Sequence, residues 1–143
     1  MLVEGSTRRA GWLSSAAAAL GLESRVRVAA ERAEDVGRQI DWRAGSQVVT
    51  ARSFGPPAVV AECAAPLLVP AGRLLVSEPP PSVASPIGRI GERWPATGLE
   101  ELGLGPASPQ VARGMQFVEI RQLARCPDRY PRRVGIPRKR PMF

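Results

Sequence analysis

No histidine occurs anywhere in these 143 residues, so the usual catalytic triads and imidazole acid–base chemistry are excluded. Two cysteines, Cys63 and Cys126, stand far apart, and neither belongs to a CxxC pair. Without histidine they supply no zinc-ligand set, and both read as reduced structural thiols. Aromatic residues make up only 5% of the chain, so its core must rest on Val, Leu, Ile and Ala. Long apolar runs are missing too. The most apolar stretch, Ala58 to Val69, is interrupted by Glu62 and Pro66, well short of the roughly 20 residues that cross a bilayer. Met1 to Arg9 carries one glutamate and two arginines with no apolar segment behind them, which is not the pattern of a secretory signal. The expectation is a soluble cytoplasmic protein that binds no metal and forms one domain.

Charge is abundant but unevenly placed. Residues 1–120 hold 12 basic and 12 acidic side chains and sum to zero. The last 23 residues hold Arg121, Arg125, Arg129, Arg132, Arg133, Arg138, Lys139 and Arg140 against Asp128 alone, so this tail carries the whole net charge of +7. Arginine suits forked contacts with phosphate and stacking on bases. A neutral body with a basic edge at about 121–143 is the footprint of a nucleic-acid binder.

The apolar pattern predicts alternating strands and helices. Leu2-Val3-Glu4 reads as the end of a strand, with Ser6 or Thr7 capping the next helix. That helix has an apolar stripe at Trp12, Ala16 and Leu20 and stops at Gly21. Arg25 to Val28 alternates like a half-exposed or edge strand, Ala33 to Val36 makes a helical turn, and Gln47 to Thr50 reads as a buried strand. A helix over Ala58–Leu68, broken near Pro66, leads through Pro70-Ala71-Gly72 into a buried strand at Arg73–Ser77. Glu78-Pro79-Pro80-Pro81 is a stiff loop without ladder donors. Ile87 to Leu102 reads as a helix interrupted near Pro95, and Met115 to Leu123 as a strand, with a shorter one around Gln110–Ala112. This alternation predicts an α/β domain with a largely parallel sheet. Ligands of such sheets sit at the carboxyl ends of the strands, where Glu4, Arg52 and Glu78 fall.

The order Leu-Val-Glu, Arg-Arg, Trp-Leu, Leu-Gly-Leu, Arg-Ala-Glu-Asp, Val-Val-Thr-Ala-Arg-Ser and Leu-Leu-x-Pro-x-Gly-Arg-Leu resembles the RsmG (GidB) family, small-subunit (16S) ribosomal-RNA guanine-N7 methyltransferases. The closing Tyr130-Pro131-Arg132-Arg133-Val134-Gly135-Ile136-Pro137-Arg138-Lys139-Arg140-Pro141 resembles that family's Y-P-R-x-x-G-x-P-x-K-x-P tail. The resemblance implies a class I, Rossmann-like methyltransferase fold that binds S-adenosylmethionine and acts on small-subunit ribosomal RNA or a ribosomal particle. It places Glu4 at the ribose hydroxyls, Ala33 and Glu34 beside the adenine and Arg52 at the cofactor site, with Arg132, Arg133 and Lys139 meeting RNA. Guanine N7 carries a lone pair and no proton, so its methylation needs no general base, and no catalytic side chain is assigned.

The glycine-rich G-x-G-x-G turn that opens such a fold has no counterpart here. Gly103-Leu104-Gly105 follows a helix and runs into Pro106, the wrong context. In the class I strand order 3-2-1-4-5-7-6, this sequence would begin within the second strand, as a truncated reading or a degenerate remnant, and a partner could supply the missing strand. The alternative function is a non-catalytic RNA-binding remnant that keeps the basic tail. A nicotinamide-dependent oxidoreductase is excluded by the absence of G-x-G-x-x-G after a strand.

Overall fold

The computed structural model describes residues 1–79 and 89–143. Its elements run β1 (Leu2–Val3), α1 (Thr7–Ala19), β2 (Val28–Ala29), α2 (Ala33–Val36), β3 (Ser46–Ala51), α3 (Pro57–Ala64), a 3₁₀ turn (Ala65–Leu67), β4 (Leu68–Ser77), α4 (Ile90–Arg93), α5 (Ala96–Glu100), β5 (Ser108–Ala112), β6 (Met115–Arg121) and α6 (Ile136–Lys139). β1 and β2 form a two-stranded parallel sheet, and a second sheet has the order β3-β4-β6-β5.

The larger sheet is mixed, where the sequence pattern predicts a largely parallel one. β3 and β4 are parallel, but β6 runs antiparallel to both β4 and β5. The reason is local. Ala112 pairs with Met115 across Arg113 and Gly114, which have φ of 50° and 75°. Two successive positive φ values make a type I′ turn, whose twist matches antiparallel strands and joins them in two residues.

α1 begins where Ser6 accepts from the Arg9 amide at 3.5 Å. It ends in a Schellman motif, with Gly21 at φ 65°, its amide on Ala18 O, and the Leu22 amide reaching Ala17 O. The face it buries differs from the predicted stripe. Ala10 and Ala17 are buried, whereas Trp12 is 70% and Leu20 72% exposed. Small residues let the helix lie close to its neighbours, and this turns the larger apolar side chains outward.

Other elements depart from expectation in ways the neighbours explain. Of the alternating run at Arg25–Val28 only Val28 lies in a strand, and it and Ala29 pair with Leu2 and Val3. β3 is more exposed than a buried strand, with Val48 42% exposed, because β4 alone pairs with it among the described residues. Ile90–Leu102 is two short helices separated at Trp94-Pro95, since proline lacks the amide to continue the first. Ile87, Pro80 and Pro81 lie outside the described residues.

The core joins α3 to the sheet. Every residue from Ala58 to Ala64 is buried, and Val60, Ala61 and Ala64 pack in one cluster with Leu68, Leu74, Val76, Val118 and Ile120. Trp94, Leu99, Leu102 and Leu104 complete the cluster. β4 contains an irregularity between Leu68, opposite Ser46, and Arg73, opposite Val48. A Cβ on Gly72 would sit 2.8 Å from the Val69 carbonyl, so only glycine fits there.

The basic C-terminal segment packs against the body through buried polar contacts. Arg43 donates from Nη1 to the carbonyls of Gly37 (3.1 Å) and Tyr130 (2.7 Å), and from Nη2 to those of Cys126 and Pro127, both 2.9 Å away. Glu62, fully buried on α3, accepts from the Arg132 amide and Nε at 2.8 Å and from Nη2 at 2.6 Å. Tyr130 donates its hydroxyl to Glu101 at 2.8 Å. A charge buried on an apolar helix needs such a partner, because an unpaired one costs several kcal/mol.

Candidate functional site

β1, α2 and β3 end around a cavity of about 560 Å³. Four sequence-predicted residues line it together: Glu4 just past β1, Ala33 and Glu34 on α2, and Arg52 just past β3. Arg9, Arg32 and Arg138 also line it. The sequence places none of the three at the cofactor: Arg9 and Arg32 look like solvated surface charges, and Arg138 belongs to the basic tail. Arg138 comes from α6, so the basic tail forms part of the cavity wall.

The acids in this cavity are held differently. Glu4 Oε1 accepts from Arg9 Nη2 and from the Ser6 amide, each at 2.8 Å. The Arg9 hydrogen bond first, and the Ser6 amide second, keep its carboxyl below the usual carboxylate range. Both donors fall on Oε1. Glu34 is 5% exposed; its Oε1 accepts from the Gly135 amide at 3.1 Å, and its Oε2 lies 3.9 Å from Arg32 Nε. Among the described residues no carboxylate lies within ion-pair distance of Arg52 or Arg138.

Residues Arg52 to Phe54 divide this cavity from a second one, of about 520 Å³, at the ends of β3 and β4, and they line both. Ser53 has φ 51°, a left-handed conformation that a non-glycine residue adopts only under constraint. Phe54 beside it is 49% exposed. Glu78, Arg93 and Trp94 stand across the second cavity.

The three predicted RNA-facing residues separate into two kinds. Arg133 and Lys139 are exposed and make no ion pair among the described residues, whereas Arg132 spends its Nε and Nη2 on Glu62 and on the Arg140 carbonyl. Arg121, Arg125, Arg129, Arg138 and Arg140 are also exposed.

Both thiols are buried and unpaired. Burial first, then Glu34 and Glu62 nearby, pushes Cys63 up to about 12, and burial pushes Cys126 up to about 11. Neither is a nucleophile at neutral pH. No group of three or more His, Cys, Asp or Glu among the described residues could hold a metal ion, and no described helix is long and apolar enough to cross a membrane.

No family model matches this chain. Over 99% of its length it is similar to curated proteins named ribosomal RNA small subunit methyltransferase G. That of Chloroflexus aggregans is 35% identical over 144 residues, that of Pelotomaculum thermopropionicum 34% over 143, and that of Deinococcus deserti 32% over 147. The chain spans 58%, 59% and 57% of those three proteins. Among solved structures, a possible exported protein from Bordetella parapertussis matches with a TM-score of 0.55 at 16% identity, over 85% of this chain and 52% of the other, a likeness of fold alone.

Proposed function

We propose that this chain, a relative of the ribosomal RNA small subunit methyltransferase G proteins over nearly its whole length, carries the S-adenosylmethionine site of an enzyme that methylates guanine N7 in small-subunit ribosomal RNA. One observation carries the reading. Glu4, Ala33, Glu34 and Arg52, spread over 49 positions of sequence and three elements, line one cavity. Its volume falls within the roughly 300–1,000 Å³ typical of cofactor pockets.

The residues fit the cofactor. With Oε1 of Glu4 occupied by Arg9 and Ser6, Oε2 is the oxygen to accept from ribose hydroxyls. Ala33 gives a small apolar wall for the adenine, and Arg52 supplies a cation for the methionine carboxylate. The bound cofactor would supply an electrophilic sulfonium methyl. The chain's task is to hold N7 in line with it, and such positioning is worth about 7–11 kcal/mol. Arg133 and Lys139, with the other exposed tail arginines, hold the RNA backbone.

The strand order supports a class I sheet. Reading β1 to β4 as class I strands 2 to 5, β6 as strand 7 and β5 as strand 6, the orders β2-β1 and β3-β4-β6-β5 become 3-2 and 4-5-7-6. Strand 1 of that fold belongs between β1 and β3. There a cavity of about 340 Å³ is lined by Leu2, Leu13, Val48 and Val49, among others. In this reading residues 1–143 are part of one methyltransferase domain, and a strand from outside them covers both edges.

Calorimetric titration of S-adenosylmethionine into the folded 143-residue chain tests the proposal, and one-to-one binding is expected. A folded chain that binds RNA in a salt-sensitive way but no cofactor would instead support the second reading, an RNA-binding remnant. The exposed tail cations favour that alternative.

A further inference from the structure

We infer that the second cavity, at the ends of β3 and β4, is a guanine pocket in which Phe54 stacks on the base and Glu78 reads its Watson–Crick edge. The inference rests on the methyltransferase reading and names the residues that would select its substrate.

Enzymes that modify a base take it out of its stack, hold it against aromatic or apolar side chains and read its edge with hydrogen bonds. The cavity, of about 520 Å³, has room for a purine. Of the two aromatic residues lining it, Trp94 is buried and Phe54 is about half exposed, and Phe54 lines the cofactor cavity as well. The left-handed Ser53 beside it is backbone strain at the junction of the two cavities, where a base would have to meet the transferred methyl.

Glu78 supplies the selectivity. Its side chain is 5% exposed, and Trp94 Nε1 donates to Oε1 at 3.0 Å. Arg93 Nε lies 2.9 Å from Oε2 but donates no hydrogen bond to it. Among the described residues no group donates to Oε2, which leaves its acceptor positions for a ligand. Guanine offers N1–H and the N2 amino group side by side, a pair of donors that suits a carboxylate. Adenine presents a lone pair at N1 and would be repelled. Gripping guanine by this edge leaves N7, on the opposite side of the purine, to face the Arg52–Phe54 junction.

Saturation-transfer NMR on the folded chain, with GMP, IMP and AMP as separate probes, tests the pocket. GMP should bind about tenfold tighter than AMP, with IMP, which lacks the N2 amino group, between them. Phe54→Ala should weaken GMP binding about tenfold and Phe54→Trp should preserve it. Equal affinity for GMP and AMP, no transfer to GMP, or full GMP binding by Phe54→Ala would each overturn the inference. If S-adenosylmethionine binds and the nucleotides are not discriminated, the pocket falls and the methyltransferase reading stands. Guanine selectivity without cofactor binding would mean the reverse.

Discussion

Arg132→Ala should unfold this protein more readily rather than merely weaken a contact with RNA. Glu62 is fully buried, and three N–H groups of Arg132 satisfy it at 2.6–2.8 Å. Alanine keeps the backbone amide and loses both guanidinium contacts, as well as the 2.7 Å bond to the Arg140 carbonyl. Stranding a buried charge costs about 3–5 kcal/mol. The surviving amide and the 29% exposure of the Arg132 side chain argue for the lower end. A loss of about 3 kcal/mol in a chain of this size lowers Tm by about 10 °C. Urea and thermal unfolding followed by circular dichroism would measure it. Arg133→Ala, on an exposed side chain, is the control and should stay within about 0.5 kcal/mol. The double variant Glu62→Leu/Arg132→Met should recover most of the loss, because the buried charge goes with its partner. If Arg132→Ala proved as stable as Arg133→Ala, the argument from the buried pair would be refuted.

Arg133→Ala and Lys139→Ala should each weaken RNA binding and reduce the slope of log K against log salt by about 1, which filter binding at several salt concentrations would show; an unchanged slope would remove them from the interface. Arg52→Ala should weaken S-adenosylmethionine binding about ten- to a hundredfold by calorimetry, the worth of a charge-assisted hydrogen bond, and unchanged affinity would take Arg52 out of the site. The raised Cys63 and Cys126 values make folding favour the protonated thiols. Stability should therefore be unaffected by these groups below their ordinary value of 9.0 and fall as pH rises through about 11 and about 12. Alkaline unfolding with a Cys63→Ala/Cys126→Ala comparison checks the sign, since the double variant should lose less stability over that range.

The local signals in the sequence were the readable ones. A serine before a periodic segment and Gly21 after it marked α1, apolar runs marked β3, β4 and β6, and the apolar stretch from Ala58 marked α3. Orientation was harder to read. Periodicity found a stripe on α1 but gave Trp12 and Leu20 more weight than alanines, while close packing buried Ala10 and Ala17. β3 looked like a buried strand because its composition is apolar, but burial depends on which neighbours a strand has. Parallel alternation hid the hairpin at Arg113-Gly114, since arginine is not a typical residue for a positive φ. In the candidate site, the ends of strands pointed to Glu4, Arg52 and Glu78. Glu62 had left a signal of its own, a lone acid in the apolar stretch Ala58–Ala65, which demands a buried partner. Its partner lies 70 positions away, and no local pattern announces a pairing at that range. The Gly135–Glu34 bond, across 101 positions, is equally silent.

Arg43 gives the two halves of the proposed machinery a common frame. One guanidinium fastens the carbonyl of Gly37, which caps α2, to the carbonyls of Cys126, Pro127 and Tyr130 within the basic tail. The wall that would face the adenine and the cations that would meet phosphate are therefore tied together through one side chain. An RNA strand held by Arg133 and Lys139, as proposed, would sit at a fixed reach from the cavity, much as the jaws of a caliper are set by its beam. Shortening that beam would shift which nucleotide arrives at the methyl, even with every contacting residue intact.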